Sequence, residues 1–354
     1  MSCVVTGSAG LLGHCLVERL LARGETVRRI DVAGGPDTLA IDLRDAAALD
    51  CAVAGAEVIY HLAAAQRMKP QFQGLSEDEI FAMNVEGVRN VLAAAERHGV
   101  RKVVWISSSG VYGIPQTVPC TEDHPTRPLG AYGRSKLEGE RLCREAVARG
   151  LDVTMLRPMS LFGPHMTGVF PLLFEWVRTH RPVYLLGSGR NRVQMSSAWD
   201  VADACLLAAA RPESRGAVLN LGAAPEHVPT VREQVAALIA HAGSRSPIVA
   251  IPAALLRGAA RTLDVFGWSP LVPEHYLLAD ANFILDISRA RAVLGWEPAF
   301  DNVAMMNAAY DWYVGADPSY RPQRRAALRL LDLAAPVVRA LAPSATERAR
   351  PAAT

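Results

Sequence analysis

Three glycines set between a short apolar run and an amphipathic stretch decide most of what this chain can fold into. Cys3–Thr6 reads as a strand, and Gly10–Arg23 as a helix with Leu12, Leu16, Leu20 and Leu21 at helical spacing. Between them runs Thr6-Gly-Ser-Ala-Gly-Leu-Leu-Gly13. Gly7 suits a tight turn, Gly10 lets the backbone approach a pyrophosphate, and Gly13 lets the helix lie close on the strand. The helix N-terminus, with Leu11 and Leu12, then offers unpaired N–H groups and a partial positive charge to an anion. A plain turn makes the same demand for glycine; the placement between strand and helix is what points to a dinucleotide.

Further along, Val27–Asp31, Ala40–Asp42, Val58–Leu62, Val103–Ser107 and Val153–Leu156 read as strands, and Glu77–His98 and Tyr132–Arg149 as helices. Strand–helix alternation of this kind predicts an α/β fold, a doubly wound parallel (Rossmann) sheet with right-handed crossovers. Such sheets are covered on both faces, which accounts for strands such as Lys102-Val-Val-Trp-Ile that do not alternate. Residues 1–160 are expected to form the dinucleotide-binding domain. After about Pro158 glycine and proline become frequent, and residues 161–317 read mainly as a smaller, substrate-binding C-terminal portion. A later strand returns to the sheet within 190–222, at Val218–Leu221. Residues 318–354 read as a C-terminal helix and tail, in which Arg325, Arg329 and Arg339 interleave with leucines and valines. That segment suits a terminal helix packed on its own domain, or a basic amphipathic helix for a membrane surface or partner.

Composition narrows the class. The 354 residues are 50% hydrophobic and carry a net charge of +2, so bulk charge offers no argument for nucleic acid. The six cysteines form no C-x-x-C pair, which argues against a metal cluster or disulfide framework and fits a reducing cytoplasm. The chain enters its first apolar run at once, leaving no room for a signal peptide, and no stretch reads as a bilayer span.

Asp31 closes the second strand. A carboxylate there accepts the adenosine ribose hydroxyls and repels a 2′-phosphate, favouring NAD over NADP, although a turn aspartate looks the same in sequence and Arg28 and Arg29 lie close by. Asp42, with Leu43 beside it, follows the expected third strand and is placed to reach the adenine side; a solvated loop aspartate would serve equally.

Tyr132-Gly-Arg-Ser-Lys136 begins a helix after a proline-rich loop. Positions i and i+4 share a face, so phenol and ammonium project together. A free phenol is a weak base at neutral pH, with a pKa of about 10, and a neighbouring ammonium favours its phenolate form. Ser107-Ser-Ser109 stands at the carboxyl end of the fifth strand, where open α/β sheets bind ligands. A hydroxyl there can bond the reacting oxygen while the tyrosine moves its proton.

These residues together resemble the extended short-chain dehydrogenase/reductase family, which includes nucleotide-sugar epimerases and dehydratases. The resemblance runs from the first strand to about Trp312. It is carried by the glycine motif, His61-Leu-Ala-Ala64, Asn84-Val, Ser107-Ser-Ser-Gly-Val-Tyr-Gly113, Tyr132–Lys136, Leu156-Arg-Pro158, Phe162-Gly-Pro164 and Leu294-Gly-Trp-Glu-Pro298. It implies a catalytic group of Ser108 (or, failing it, Ser109), Tyr132 and Lys136, with Tyr132 and Lys136 also touching the cofactor, which is NAD. Leu62, Ala63 and Ala64 would line its phosphate and ribose side, and Pro158 and Ser160 would approach its carboxamide. Substrate contacts would come from Ser109, Ser160, His165 and Arg192, and the segment from Gln66 to Leu75 would shape the pocket. Helices Glu77–His98 and Tyr132–Arg149 would build a homodimer.

Departures from the family's pattern bear on the reaction. Sugar-nucleotide dehydratases of this family carry an Asp-Glu acid–base pair where this chain has Ser109-Gly110. An asparagine that meets the substrate diphosphate in epimerases is matched by Ser160. A C-terminal arginine segment has no match, and Leu277–Asp286 resembles the 3β-hydroxysteroid dehydrogenase-like branch as much as the sugar branch. Three readings follow: a nucleotide-sugar-type epimerase with transient hydride transfer to NAD, a dehydrogenase or reductase with net NAD(H) turnover on a secondary alcohol or ketone, and a non-catalytic NAD-binding regulator.

Overall fold

A computed structural model describes residues 1–66, 72, 74–164, 166, 170–252 and 280–315. Seven strands form one parallel sheet: β1 (Ser2–Thr6), β2 (Thr26–Asp31), β3 (Thr38–Ala40), β4 (Val58–His61), β5 (Lys102–Ile106), β6 (Val153–Pro158) and, beyond shorter strands, β10 (Val218–Leu221). Their spatial order is β3-β2-β1-β4-β5-β6-β10. The order reverses between β1 and β4, which pair directly from Cys3↔Val58 to Thr6↔His61. The carboxyl ends of strands flanking such a reversal open the crevice in which doubly wound sheets bind ligands.

The sheet is covered on both faces. On one side helices α2 (Ala46–Val53), α3 (Glu77–Arg97) and α4 (Ala131–Arg149) bury Val4, Ile59, Val103 and Trp105. On the other, α1 (Leu11–Ala22) and α6 (Ala198–Ala210) bury Val5, Tyr60, Val104 and Leu156. Alternate residues of β4 and β5 thus enter opposite cores, as the non-alternating strand sequences require. A third cluster, built on Phe162, Phe174, Val183 and Leu238, joins β7 (Leu161–Phe162), α5 (Phe170–Arg178), β8 (Val183–Leu186), α7 (Val231–His241) and α9 (Asn302–Gly315). The remaining short elements are β9 (Ser196–Ser197), β11 (Ile248–Ile251) and α8 (Ser288–Leu294); β8 pairs with β11 and β7 with β9, both parallel.

Two local differences from the sequence reading have plain causes. The third strand lies at Thr38–Ala40, two residues before the expected start, because Asp42 turns the chain: its carboxylate accepts the Arg44 backbone N–H at 2.9 Å and the Arg44 guanidinium. Helix α2 follows at once, capped by Asp45, whose side chain accepts from the Ala48 N–H at 3.0 Å. The Asp-Ala-Ala-Ala run carried that signal. Residues 318–354, and with them the basic segment, lie outside the described residues, as do His165 and residues 67–71 and 73 of the expected pocket segment.

Candidate active site

The nucleotide end is built by close backbone approach. Gly7 has φ +72°, and a Cβ there would fall 2.7 Å from the Ala63 nitrogen and 3.0 Å from the Leu62 carbonyl carbon. The glycine loop and the Leu62–Ala64 segment after β4 are therefore pressed together, as expected for two walls of one crevice. A Cβ on Gly13 would strike the Gly7 carbonyl and lie 2.7 Å from the Ser8 Cα, so glycine alone lets α1 start this close to the turn. Gly10 is the N-cap of α1; no side chain caps it and the first turn holds no acidic residue. The N–H groups of Leu11 and Leu12 are among those left for an outside acceptor. The Leu12 side chain is buried in the core and Leu11 leans toward Gly163, so both would serve a ligand through the backbone. This uncapped, carboxylate-free helix end fits the pyrophosphate of a dinucleotide.

Asp31 ends β2 facing that loop. Its carboxylate accepts from Ala9 N–H at 3.1 Å and Ala33 N–H at 3.0 Å, which fixes its direction. Arg28 is committed elsewhere, donating to the Ala52 and Ala54 carbonyls at the end of α2. Asp42 is held by Arg44, which keeps its carboxyl below the usual range. Leu43 lies against α3, its carbonyl accepting from Asn90 at 2.9 Å.

Sequence reasoning did not assign individual roles to the residues that anchor this wall. His61 Nδ1 and Thr6 Oγ1 are hydrogen-bonded at 2.7 Å, and Thr6 Oγ1 also accepts from Ala63 N–H at 3.4 Å. Burial first, and the nearby Lys136 charge second, push the His61 pKa down to about 3, so the ring is neutral at any working pH. Asn84 of α3 clamps the next residues: its side chain accepts from Ala65 N–H at 2.7 Å and donates to the Ala65 carbonyl and to Ser135 Oγ. Only the resemblance flagged His61 and Asn84, since a lone histidine or asparagine has no periodic signature.

At the other end, β5 delivers Ser108 and α4 delivers Tyr132 and Lys136. Gly133 makes this approach possible: a Cβ there would lie 2.8 Å from the Gly110 carbonyl and 2.9 Å from Pro128 Cβ. The first turn of α4 thus sits directly on the turn Ser109–Val111 that follows Ser108. Ser108 Oγ accepts from Gly110 N–H at 3.0 Å, and the Tyr132 hydroxyl interacts with the Ser108 and Gln66 side chains. Lys136 is 3% exposed; its ammonium donates to the Ile106 carbonyl at 2.7 Å and lies 5.7 Å from the Tyr132 ring centroid and 5.1 Å from that of Trp105. Ser108, Tyr132 and Lys136 are therefore brought together. Burial pushes the Tyr132 phenol above its ordinary value of 10.0, and the hydrogen bonds to Gln66 and Ser108 pull it back by less. The resting phenol is protonated, which differs from the lowered value that the Tyr–Lys spacing suggests, because desolvation outweighs the neighbouring groups.

Of the remaining candidates, Ser109 is buried in the turn after Ser108, Pro158 is buried at the end of β6, and Ser160 is exposed with its carbonyl accepting from Ser196 N–H at 2.9 Å. Arg192 is exposed; its backbone bridges to Thr230 and receives the Phe283 N–H, and its charge is felt by Glu233 at the start of α7.

The NAD dependent epimerase/dehydratase family matches residues 3–222, which span the whole sheet and both ends of the crevice. The chain belongs to that family. It is 31% identical over 323 residues to the UDP-glucose 4-epimerase of Mycolicibacterium smegmatis, covering 84% of this chain and 94% of that one. It is 28% identical over 338 residues to a 3beta-hydroxysteroid-dehydrogenase/decarboxylase (isoform 2) of Arabidopsis thaliana, covering 84% of this chain and 59% of the plant protein. Among solved structures it resembles MoeE5 in complex with UDP-glucose and NAD, at 26% identity and a TM-score of 0.72, over 89% of this chain and 99% of that one. As a member of the family this chain is an enzyme and its cofactor is NAD. Among the described residues, no helix is long and apolar enough to cross a membrane.

Proposed function

We propose that this enzyme is a nucleotide-sugar-type epimerase in which Ser108, Tyr132 and Lys136 act on one hydroxyl-bearing carbon of the sugar. The observation that carries the reading is the placement of the Tyr132 hydroxyl beside Ser108, with the Lys136 ammonium 5.7 Å from the centroid of the same ring, next to a crevice whose two walls suit a dinucleotide. NAD, when bound, supplies a hydride acceptor that can also return the hydride. The protein's part is the proton and the geometry. Ser108 donates a hydrogen bond to the reacting oxygen, Tyr132 takes its proton and gives it back, and the Lys136 charge favours the phenolate in between. Ser109 and Gly110, beside Ser108, hold no titratable group, which speaks against water elimination by an acid–base pair at that place.

The test uses the purified chain with NAD and UDP-glucose, the sugar nucleotide in its relative's name. Conversion to the 4-epimer with no net change in NADH absorbance is expected. Stoichiometric NADH formation would replace this reading with a second one, a dehydrogenase or reductase acting on a secondary alcohol or ketone. What favours that alternative is the segment where the family's sugar branch has an arginine: here Phe283 and Leu285 are buried with Met159 and Val111 instead.

Asp31 directs the choice of cofactor in this reading. NADH is expected to bind more tightly than NADPH, because a 2′-phosphate would meet the Asp31 carboxylate; tighter binding of NADPH would refute the role of Asp31. The reading also places the enzyme in the cytoplasm as a homodimer through the outer faces of α3 and α4. A monomer mass in light scattering would remove that assembly.

A further inference from the structure

The end of β5 is gripped by α4 at three consecutive residues. The Ile106 carbonyl accepts from Lys136, the Ser107 hydroxyl donates to Glu140 Oε1 at 2.7 Å, and Ser108 meets Tyr132. Positions 132, 136 and 140 are one helical turn apart, so they form a single stripe along α4. Glu140 is fully buried and carries four donors: Ser107 and Arg157 Nε on one oxygen, Arg157 Nη2 and Arg144 on the other. Arg157, 2% exposed on β6, continues the chain of bonds to the Tyr112 hydroxyl at 2.7 Å, which donates to Asn220 of β10 at 2.7 Å. None of these groups beyond Ser108, Tyr132 and Lys136 has a part in the chemistry above.

We propose that Ser107, Glu140 and Arg157 are positioning residues, which lock the strand end 106–108 to α4 so that Ser108 and Lys136 keep their places around the Tyr132 phenol. A buried ion pair is a poor way to gain stability, since apolar side chains of the same volume hold a sheet to a helix as well or better. A staple that ties the residue before Ser108 to the helix turn after Lys136 does what apolar packing cannot: it sets direction as well as distance. The bidentate fork of Arg157 fixes the plane of the carboxylate, and the carboxylate fixes the Ser107 hydroxyl. The proposal rests on the reading of Ser108, Tyr132 and Lys136 as the catalytic group.

The test follows the ionisation of Tyr132 directly, in the full chain loaded with NAD and labelled with carbon-13 tyrosine. Its ring resonance among the eight tyrosines is assigned by its loss in Tyr132→Phe. Ser107→Ala leaves the Glu140–Arg157 pair intact and removes only its tie to the strand. It is expected to raise the Tyr132 titration midpoint by about one pH unit, a tenfold smaller phenolate fraction at a given pH, as Lys136 loses its fixed place. Melting temperature and NAD affinity should stay near those of the parent, and Ser107→Thr should restore the midpoint. Glu140→Asp, which keeps the charge but is too short to reach both partners, should move the midpoint the same way. An unchanged midpoint in folded Ser107→Ala would overturn the positioning role while leaving Tyr132 as the base. Retained turnover in Tyr132→Phe would overturn both.

Discussion

Tyr132→Phe is expected to lower turnover by roughly 10²–10⁴-fold, the range attached to a positioned general acid or base, while NAD still binds. The ring stays and only the hydroxyl goes, so the packing of α4 on the turn Ser109–Val111 is untouched. What disappears is the group that faces Ser108 and Gln66 and to which the proposed function assigns the proton of the reacting oxygen. The pH dependence follows from the upward shift of the phenol. A base that must be ionised is scarcer the further its pKa lies above the working pH, so the oxidising half-reaction should speed up as pH rises toward that value. Retained turnover in Tyr132→Phe, measured with UDP-glucose as above and with NAD binding followed by fluorescence, would rule out Tyr132 as the proton carrier.

Much of this was legible in the sequence, and the parts that were not have a common cause. The glycine motif and the Tyr–Lys spacing are local: their meaning depends on residues within one turn or one helix face, so periodicity and neighbours expose them. Strand boundaries were read to within two residues for the same reason; at β3 the Asp42–Arg44 interaction decides the end of the strand. The Thr6–His61 hydrogen bond joins residues on two strands, and Asn84 reaches from α3 to both the Ala65 backbone and Ser135. The Ser107–Glu140–Arg157 chain crosses β5, α4 and β6. Pairings between elements have no spacing rule, and a glutamate in a helix reads as solvent-facing until the fold buries it. The phenol's raised pKa was missed likewise, because i,i+4 spacing shows the lysine but not the desolvation.

Arg157→Met is the substitution with the largest expected cost to stability, about 3–5 kcal/mol, because it leaves the Glu140 carboxylate buried without its bidentate partner. Arg157 and Glu140 are 2% and 0% exposed, so water does not take the partner's place. Replacing both, as Arg157→Met with Glu140→Leu, should recover most of the loss, since the desolvated charge goes with the pair. The acid dependence separates this account from simple loss of packing. In the parent, burial pushes the Glu140 carboxyl up, but Arg157, Ser107 and Arg144 together bring it below its ordinary 4.5. A depressed folded-state pKa contributes stability above pH 4.5 that is lost as pH falls through the folded value. In Arg157→Met the burial effect faces weaker opposition and the folded pKa moves up. If it passes the unfolded value, the contribution changes sign, being present in acid and lost as pH rises through the folded pKa. Urea unfolding of the two chains should therefore differ most at neutral pH and converge toward and below 4.5. A gap that stays constant across that range would assign the cost to lost packing alone. Convergence would show that the charge of Glu140 depends on Arg157, as a carboxylate kept ionised inside the protein to hold the serine strand must.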